Sequence, residues 1–128
     1  MGPRQRRQRM SQPEMKVDSD GTKYWLLNGK LNREDGPAVE RSDGTKFWYF
    51  NGVYHRVGGP AIELPSGEKQ WFLHGKFHRE DGPAVEYVDG TKRWFFKDEE
   101  ATWKEVFRNA NGDLEKECRI LTYALTTP

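Results

Sequence analysis

The sequence contains little of the material from which disulfide scaffolds, membrane spans and large aliphatic cores are built. One cysteine, Cys118, occurs in 128 residues, which excludes an internal disulfide and suits a reducing, intracellular compartment. Hydrophobic residues make up 34% and charged residues 32%, and the mean hydropathy is −1.00. No apolar run approaches the roughly 20 residues that span a bilayer. No apolar segment follows the basic N-terminus, as a secretory signal would require.

A strong net charge is also missing. The formal net charge is +1, which excludes a global field that would steer a polyanion to the protein. The first ten residues nevertheless contain four arginines and no acidic residue: Arg4, Arg6, Arg7 and Arg9. Residues 1–16 are therefore predicted to form a flexible basic arm. The favoured interpretation is a solubilising tail, or a segment ahead of a second start at Met10 or Met15; the alternative is an arm that follows phosphates.

The sequence is rich in aromatic residues, at 13%, and it repeats itself every 23 residues over positions 20–96. The same step separates Gly21, Gly44, Gly67 and Gly90, and likewise Trp25, Trp48, Trp71 and Trp94, with no insertion. A fixed period in this range is typical of stacked supersecondary units. We predict a mainly β array of three and a half units, in which each unit buries a face against its neighbours.

Each unit is predicted to contain three short antiparallel strands, at residues 22–27, 30–33 and 38–41 in the first copy. Asn28-Gly29 is a strong hairpin signal, and Gly36-Pro37 marks the second turn. The Asp43-Gly44 pair is predicted to be a two-residue turn into the next tryptophan strand. The result is a meander of about ten strands.

The alternation of side chains along these strands predicts two unequal faces. Two-residue turns would place Trp48 opposite both His55 and Val39, and Tyr49 opposite Tyr54. The tryptophan face is apolar in every copy, so we predict that it is buried. The other face would then be exposed in the first two units. There it presents a candidate partner-binding patch formed by Tyr24, Phe47, Tyr49 and Tyr54.

A helical cap is predicted over residues 98–128, after an array that occupies residues 17–97. Thr102 and Glu105 form a capping box ahead of an apolar stripe, and Asn111-Gly112 ends that helix. A second helix from near Asp113 is favoured by apolar residues at helical spacing: Leu114, Cys118, Leu121 and Leu125. Cys118 on this stripe is expected to be a small buried hydrophobe. The alternative for this segment is a strand over residues 117–125.

The repeat unit resembles repeats of the MORN-variant type, and more closely the HREDGPA-type repeats of small phage and giant-virus proteins. The resemblance is carried by NREDGPAVE at 32–40, HRVGGPAIE at 55–63 and HREDGPAVE at 78–86. It implies an antiparallel β-hairpin array used for binding, a viral origin, and no catalytic residues. The first copy departs from the pattern with Asn32, and the second with Val57-Gly58 in place of Glu-Asp.

The polar residues that recur with the period are assigned to structure rather than to chemistry. Arginines at 33, 56 and 79 and glutamates at 40, 63 and 86 form two rows that are expected to pair; an arginine ladder facing phosphates is the alternative. His55 and His78 occupy equivalent positions, but the third equivalent is Asn32, so a zinc site lacks ligands. No nucleophilic triad or phosphate loop is found. We therefore predict neither an enzyme nor a cofactor or metal.

The leading functional hypothesis is non-catalytic protein–protein binding in a viral context. The protein would be a virion component or a factor that engages a host protein, located in the host cytoplasm or the virion. The alternative is nucleic-acid binding, in which Arg4, Arg6, Arg7 and Arg9 hold phosphates and exposed aromatics stack on bases. Self-association through open sheet edges is a third possibility.

Overall fold

A computed structural model of the protein describes residues 12–126, which form fourteen short strands and two C-terminal helices. All strand pairings among them are antiparallel, so the predicted mainly β meander with a helical cap is confirmed. The strands are β1 (Glu14–Val17), β2 (Lys23–Leu27), β3 (Lys30–Leu31), β4 (Val39–Glu40), β5 (Lys46–Phe47), β6 (Tyr49–Phe50), β7 (Val53–Tyr54), β8 (Ile62–Glu63), β9 (Lys69–Gln70), β10 (Phe72–Leu73), β11 (Lys76–Phe77), β12 (Val85–Glu86), β13 (Lys92–Phe96) and β14 (Glu99–Ala101). The helices are α1 (Trp103–Ala110) and α2 (Leu114–Thr126).

Trp48 is a point at which the chain changes its hydrogen-bonding partner. The Trp48 N–H donates to the Ala61 carbonyl at 2.7 Å, whereas the Trp48 carbonyl accepts from the His55 N–H at 3.1 Å. Residues before the tryptophan belong to a ten-stranded sheet with the order β1-β2-β4-β5-β8-β9-β12-β13-β14, in which β3 pairs with β2. Residues after it form the hairpin β6–β7, and β10–β11 repeats the arrangement. This division raises the strand count above the predicted number.

The turn at Asp43-Gly44 is one residue longer than predicted. The Arg41 N–H donates to the Thr45 carbonyl at 2.9 Å, and the Gly44 N–H donates to the Arg41 carbonyl at 3.0 Å. The loop therefore covers residues 42–44. Gly44 has a φ of +96°, the left-handed conformation that completes a three-residue hairpin loop.

The longer loop shifts the register of the main sheet by one residue. Val39 pairs with Phe47, so the prediction that Trp48 lies opposite Val39 is wrong. The hairpin register is as predicted, because Tyr49 pairs with Tyr54 across a two-residue turn. A one-residue shift moves every side chain of a strand to the other face relative to its partner. Val39 therefore lies on the face of Phe47 and not on the tryptophan face.

The face predicted to be exposed consequently packs against apolar side chains, and its four patch residues are half-buried. Val39 and Ile62 both pair with Phe47, and both aliphatic side chains are buried. The tryptophan face is buried as well, although unevenly: Trp48 and Trp94 are buried, while the other two repeat tryptophans are half-buried. The array thus has apolar packing on both sides of its sheet.

A row of contacting aromatic rings, some stacked and some tilted, extends along the face opposite the tryptophans. The ring centroids of Tyr49 and Tyr54 are 4.6 Å apart, and those of Tyr54 and Phe72 are 5.1 Å apart. The row continues from Phe72 to Phe77 at 4.3 Å and from Phe77 to Phe95 at 4.9 Å. We call these five residues the aromatic row. Its ring contacts connect the hairpins of the second, third and fourth units, in addition to the backbone hydrogen bonds of the sheet.

The predicted N-terminal arm of residues 1–16 ends in a strand. β1 pairs with β2, and Met15 lies opposite Trp25. All four residues of β1 are exposed. The backbone groups of β2 would otherwise form an open sheet edge, and β1 satisfies them. The array therefore begins at Glu14.

The predicted boundary between array and cap falls inside a fourth hairpin. Lys97 and Asp98 both have positive φ, at +51° and +71°, and connect β13 to β14. They take the place of the Asn-Gly turns in the earlier units. Phe95 pairs with Glu100 across this turn, so the array extends to Ala101.

Both predicted helices are confirmed, and the strand alternative for residues 117–125 is wrong. Thr102 and Glu105 form the capping box, and Asn111 ends α1 with a φ of +51°. The second helix, however, is rotated relative to the prediction. Ile120 is fully buried against Trp94 and α1.

The apolar stripe of α2, on which Cys118 was predicted to be buried, faces largely outward, and only Leu121 among its four residues is half-buried. Leu114 is 73% exposed, Leu125 is 82% exposed, and Cys118 is exposed too. The reason is that polar contacts to the third unit orient the helix. Lys116 Nζ donates to Glu80 at 2.7 Å, and Arg119 Nη1 donates to Asp81 at 2.8 Å.

Candidate binding clefts beside the tryptophan–arginine stacks

Each arginine of the repeat is held by a tryptophan ring, a glutamate and a backbone carbonyl. The guanidinium carbons of Arg33, Arg56 and Arg79 lie 3.8, 3.8 and 3.9 Å from the ring centroids of Trp25, Trp48 and Trp71. Their Nη1 atoms donate to Glu40, Glu63 and Glu86 at 3.1, 2.9 and 2.9 Å, and to the carbonyls of Pro37, Pro60 and Pro83. The predicted pairing of the arginine and glutamate rows is confirmed.

The glycine of each Gly-Pro pair is required by this arginine. A Cβ atom on Gly36, Gly59 or Gly82 would lie 2.8, 2.7 or 2.7 Å from the guanidinium carbon of the arginine three residues earlier. Those distances are too short for a Cβ contact, so a side chain there would displace the guanidinium. The Gly-Pro motif therefore permits the cation–π stack, in addition to forming a turn.

The residue just before each arginine accepts a hydrogen bond from the next hairpin tip. Asn32 Oδ1, His55 Nδ1 and His78 Nδ1 accept from the backbone N–H groups of Asn51, His74 and Lys97 at 2.8, 2.9 and 2.9 Å. A histidine can accept at Nδ1 only when that nitrogen carries no proton. The two histidines are thus structural acceptors, and asparagine performs the same task in the first unit.

We expect His55→Asn to leave the free energy of unfolding near pH 7.5 almost unchanged. The variant should also lose less of that free energy than the wild type when the pH is lowered. The pKa of His55 lies below its ordinary 6.5 because burial disfavours the charged ring, and the charge of His74 adds to this. As the pH falls, His55 therefore binds a proton at a higher pH in the unfolded chain than in the folded chain. The free energy of unfolding of the wild type should therefore fall as pH drops from about 6.5 towards the lower folded pKa.

Asparagine at position 55 does not titrate, and Asn32 shows that it can make the same bond. Urea unfolding at pH 7.5 and pH 5.5 measures the difference, because all other titrating groups are common to both proteins. Equal acid losses in wild type and variant would contradict the role assigned to His55.

Three equivalent clefts open beside the stacks, one per unit. Each is lined by the repeat tryptophan, the residue two positions later, the asparagine or histidine acceptor, and the arginine. These are Trp25, Leu27, Asn32 and Arg33 in the first cleft; Trp48, Phe50, His55 and Arg56 in the second; and Trp71, Leu73, His78 and Arg79 in the third. Their volumes are about 420, 720 and 470 Å³. The 23-residue period of the sequence thus becomes a row of clefts on one side of the array.

The rim of the third cleft is a network of ion pairs that includes α2. Burial alone would raise the pKa of Asp81, but hydrogen bonds from Arg119 and Arg79 hold it below its ordinary value. The pKa of Glu80 is also lowered, chiefly by its hydrogen bond from Lys116. Both carboxylates are therefore ionised near neutral pH and fix one wall of the cleft.

The predicted patch lies on the opposite side of the sheet and does not line these clefts. Tyr24, Phe47, Tyr49 and Tyr54 are all half-buried. Phe47, Tyr49 and Tyr54 contact one another at centroid distances of 4.6 to 6.4 Å. Tyr24 donates a hydrogen bond to Asp18 Oδ2 at 2.9 Å, and burial raises the pKa of Tyr49. Replacing Tyr49 or Tyr54 would remove packing as well as surface.

The alternative of nucleic-acid binding stays a prediction. Its phosphate-binding residues, Arg4, Arg6, Arg7 and Arg9, lie outside the described residues. Its aromatic residues are half-buried rather than free to stack on bases.

The clefts were missed because the sequence does not reveal how loops of neighbouring units face each other. A usable signal was the constant spacing in the sequence between the tryptophan, the asparagine or histidine, and the arginine. In the first three units, arginine follows the tryptophan by eight positions, and asparagine or histidine follows it by seven, which places them together once the hairpin register is known.

Comparisons of the chain with family models, with characterised proteins and with solved structures found no significant match. The resemblance to MORN-variant and HREDGPA-type repeats therefore stays a prediction. Between residues 12 and 126, no helix is long and apolar enough to cross a membrane. Over the same range, no three histidine, cysteine or acidic side chains are grouped so that they could hold a metal ion.

Proposed function

We propose that the protein is a non-catalytic repeat module that binds an extended segment of a partner protein along its row of clefts. The observation that carries the proposal is the repetition of one cleft in three successive units. Catalysis needs a single asymmetric site, whereas repeated sites suit a ligand that is itself extended. The viral origin and the host or virion partner remain predictions from the resemblance.

The spacing of the clefts favours one ligand conformation. Successive tryptophan strands, such as β5 and β9, are separated by one strand, so the clefts recur about every 10 Å. A polyproline II segment has three residues per turn and repeats about every 9 Å. It would present every third side chain to successive clefts. In a β-strand, side chains alternate between two faces. Side chains three residues apart would therefore point in opposite directions, and only every second one would face a cleft.

The chemistry of the second cleft suits such a segment. Trp48 and Phe50 contribute apolar surface to the lining, and Arg33 and Glu34 contribute hydrogen-bonding groups. Proline-rich segments are commonly bound in grooves lined by aromatic residues. This reasoning supports the second cleft as the central contact.

We expect Phe50→Ala to weaken binding of a selected peptide about tenfold or more, since an aromatic contact contributes roughly 1.5–3 kcal/mol when buried. The probe is a peptide enriched from a random 12-residue library on immobilised wild-type protein. Affinity would be measured by fluorescence anisotropy, and contacts would be mapped by ¹H–¹⁵N NMR.

Val88→Ala is the matched control, because Val88 is exposed and lies outside all three clefts. Melting temperatures would separate lost binding from lost folding. The proposal fails if no peptide is enriched, or if the NMR changes map to the aromatic row instead of the clefts.

A further inference from the structure

The loop of the second unit departs from its neighbours in sequence and in backbone conformation. Val57-Gly58 replaces the Glu-Asp pair found in the first and third units. Gly58 has a φ of +84°, whereas its counterparts Asp35 and Asp81 are not in the left-handed region. The second loop therefore lacks a carboxylate at the position where both sister loops have one.

That carboxylate has the same task in both sister loops. Asp35 accepts from Nε of Arg33 at 3.0 Å, and Asp81 accepts from Nε of Arg79 at 2.9 Å. Arg56 uses Nη1 for Glu63 and the Pro60 carbonyl, as its counterparts do. Its Nε and Nη2 atoms have no hydrogen-bond partner among residues 12–126.

The exposure of the three arginines follows this difference. The side chain of Arg56 is 30% exposed, compared with 21% for Arg33 and 9% for Arg79. The ring of Trp48 covers one face of the Arg56 guanidinium. The free part is therefore a planar edge with two N–H donors, held in place by the stack and by Glu63.

The third cleft, which Arg56 lines, has more cationic than acidic side chains in its lining. Its charged lining consists of four cationic side chains and two carboxylates: Arg56, Arg79, Lys116, Arg119, Glu80 and Asp81. Both carboxylates are already bonded to cations of the cleft. An anion that reaches Arg56 from this side would meet these cationic side chains, while Glu63 and Glu86 offset part of the charge of Arg56 and Arg79.

We propose that the free Nε–Nη2 edge of Arg56 binds a carboxylate from an aspartate or glutamate side chain of the partner segment. This step rests on the function proposed above. The carboxylate takes the place that Asp35 and Asp81 occupy in the sister units, and a planar guanidinium edge accommodates it with two parallel hydrogen bonds. A phosphate dianion is less suitable, because Glu63 lies 2.9 Å from Nη1 of the same guanidinium and would repel the second charge.

The double substitution Val57→Glu/Gly58→Asp tests the proposal with a loop sequence that already occurs in the first and third units. It converts the second loop to the Arg-Glu-Asp-Gly-Pro sequence of its neighbours. The new aspartate should occupy the free edge of Arg56 and exclude an external carboxylate. The ¹H–¹⁵N signal of Arg56 Nε, followed during titration with sodium acetate at constant ionic strength, is the readout.

We expect saturable acetate shifts at Arg56 in the wild type, and about tenfold or greater weakening in the double variant. Parallel titrations with sodium chloride and sodium phosphate distinguish a carboxylate site from general anion attraction. Equal acetate responses in the two proteins would overturn the proposal, as would a response to phosphate without one to acetate.

A reciprocal variant keeps the test informative if the double variant folds poorly. Asp35 is 88% exposed, so Asp35→Gly should leave the fold intact while it frees the Nε edge of Arg33. This variant should gain an acetate-responsive Nε signal at Arg33 that the wild type lacks. If no such signal appears, the open edge is not sufficient for carboxylate binding and the proposal fails.

The two proposals can fail separately. Acetate binding at Arg56 without any enriched peptide would support the carboxylate site and overturn the proposed function. Peptides that bind the wild type and the double variant equally would support the cleft function and overturn the use of Arg56.

Discussion

Replacing Arg79 with alanine is expected to lower the free energy of unfolding by about 3 kcal/mol, a cost typical of removing one partner from a buried ion pair. Arg79 is the most buried of the three repeat arginines, at 9% exposure. It donates to Asp81 and Glu86, both at 2.9 Å, and to the Tyr123 hydroxyl at 3.1 Å. Its removal leaves two carboxylates with one cation fewer and uncovers the ring of Trp71.

Arg56→Ala is the matched comparison and should cost only about 1 kcal/mol, as is usual for a more exposed pair. Arg56 makes the equivalent tryptophan stack and pairs with the equivalent glutamate, Glu63. It has no aspartate partner and no hydrogen bond to α2 within the described residues. Urea unfolding monitored by circular dichroism at pH 7.5 measures both variants. Equal losses, or a larger loss for Arg56→Ala, would show that α2 does not depend on Arg79.

Truncating Ile120 to alanine is the second large effect, with an expected loss of about 2–5 kcal/mol. Ile120 is fully buried, and it packs in one cluster with Trp94, Val106 and Ala110. The cavity would open where α2 covers the last unit of the array. Because terminal units of a repeat array need a cap, the loss should be seen in the cooperative unfolding of the whole domain.

Leu125→Ala is the control on the same helix. Leu125 is 82% exposed, so its truncation should change stability by no more than about 0.5 kcal/mol. The pair of variants decides between two rotations of α2, since the apolar spacing of the sequence predicts the opposite order. If Leu125→Ala costs more than Ile120→Ala, the orientation of the helix described above is wrong.

The features that were predictable from the sequence are those that depend on few residues. The Asn51-Gly52 turn, the capping box of Thr102 and Glu105, and the left-handed end at Asn111 are each specified within about four residues. The pairing of arginine and glutamate rows was predictable for another reason. The period repeats both residue types together, so a contact made in one unit is made in every unit.

The errors share a physical origin in small geometric changes that have large consequences. One extra residue in the loop at 42–44 places the buried Val39 opposite Phe47, so a face that was predicted to be exposed is half-buried. The pattern alone could not reveal this, because both faces carry apolar residues in the first two units. A turn of two or of three residues is compatible with the same Asp-Gly pair.

The orientation of α2 illustrates the same point for packing. The apolar spacing of Leu114 and Leu125 suggested one buried face, but Lys116 and Arg119 pair with the loop of the third unit. Those two ion pairs and the contact of Tyr123 with Arg79 require a different face to point inward. No local pattern records a partner that lies 36 or 38 residues away in the chain.

The sequence by itself determined the 23-residue unit, its hairpin turns and its helical end, because local backbone preferences and periodicity are encoded in short segments. Only the tertiary structure decided which faces are buried, where the clefts open and which arginine keeps a free edge. These properties arise from contacts between units, where a shift of one residue in a turn exchanges the two faces of the sheet.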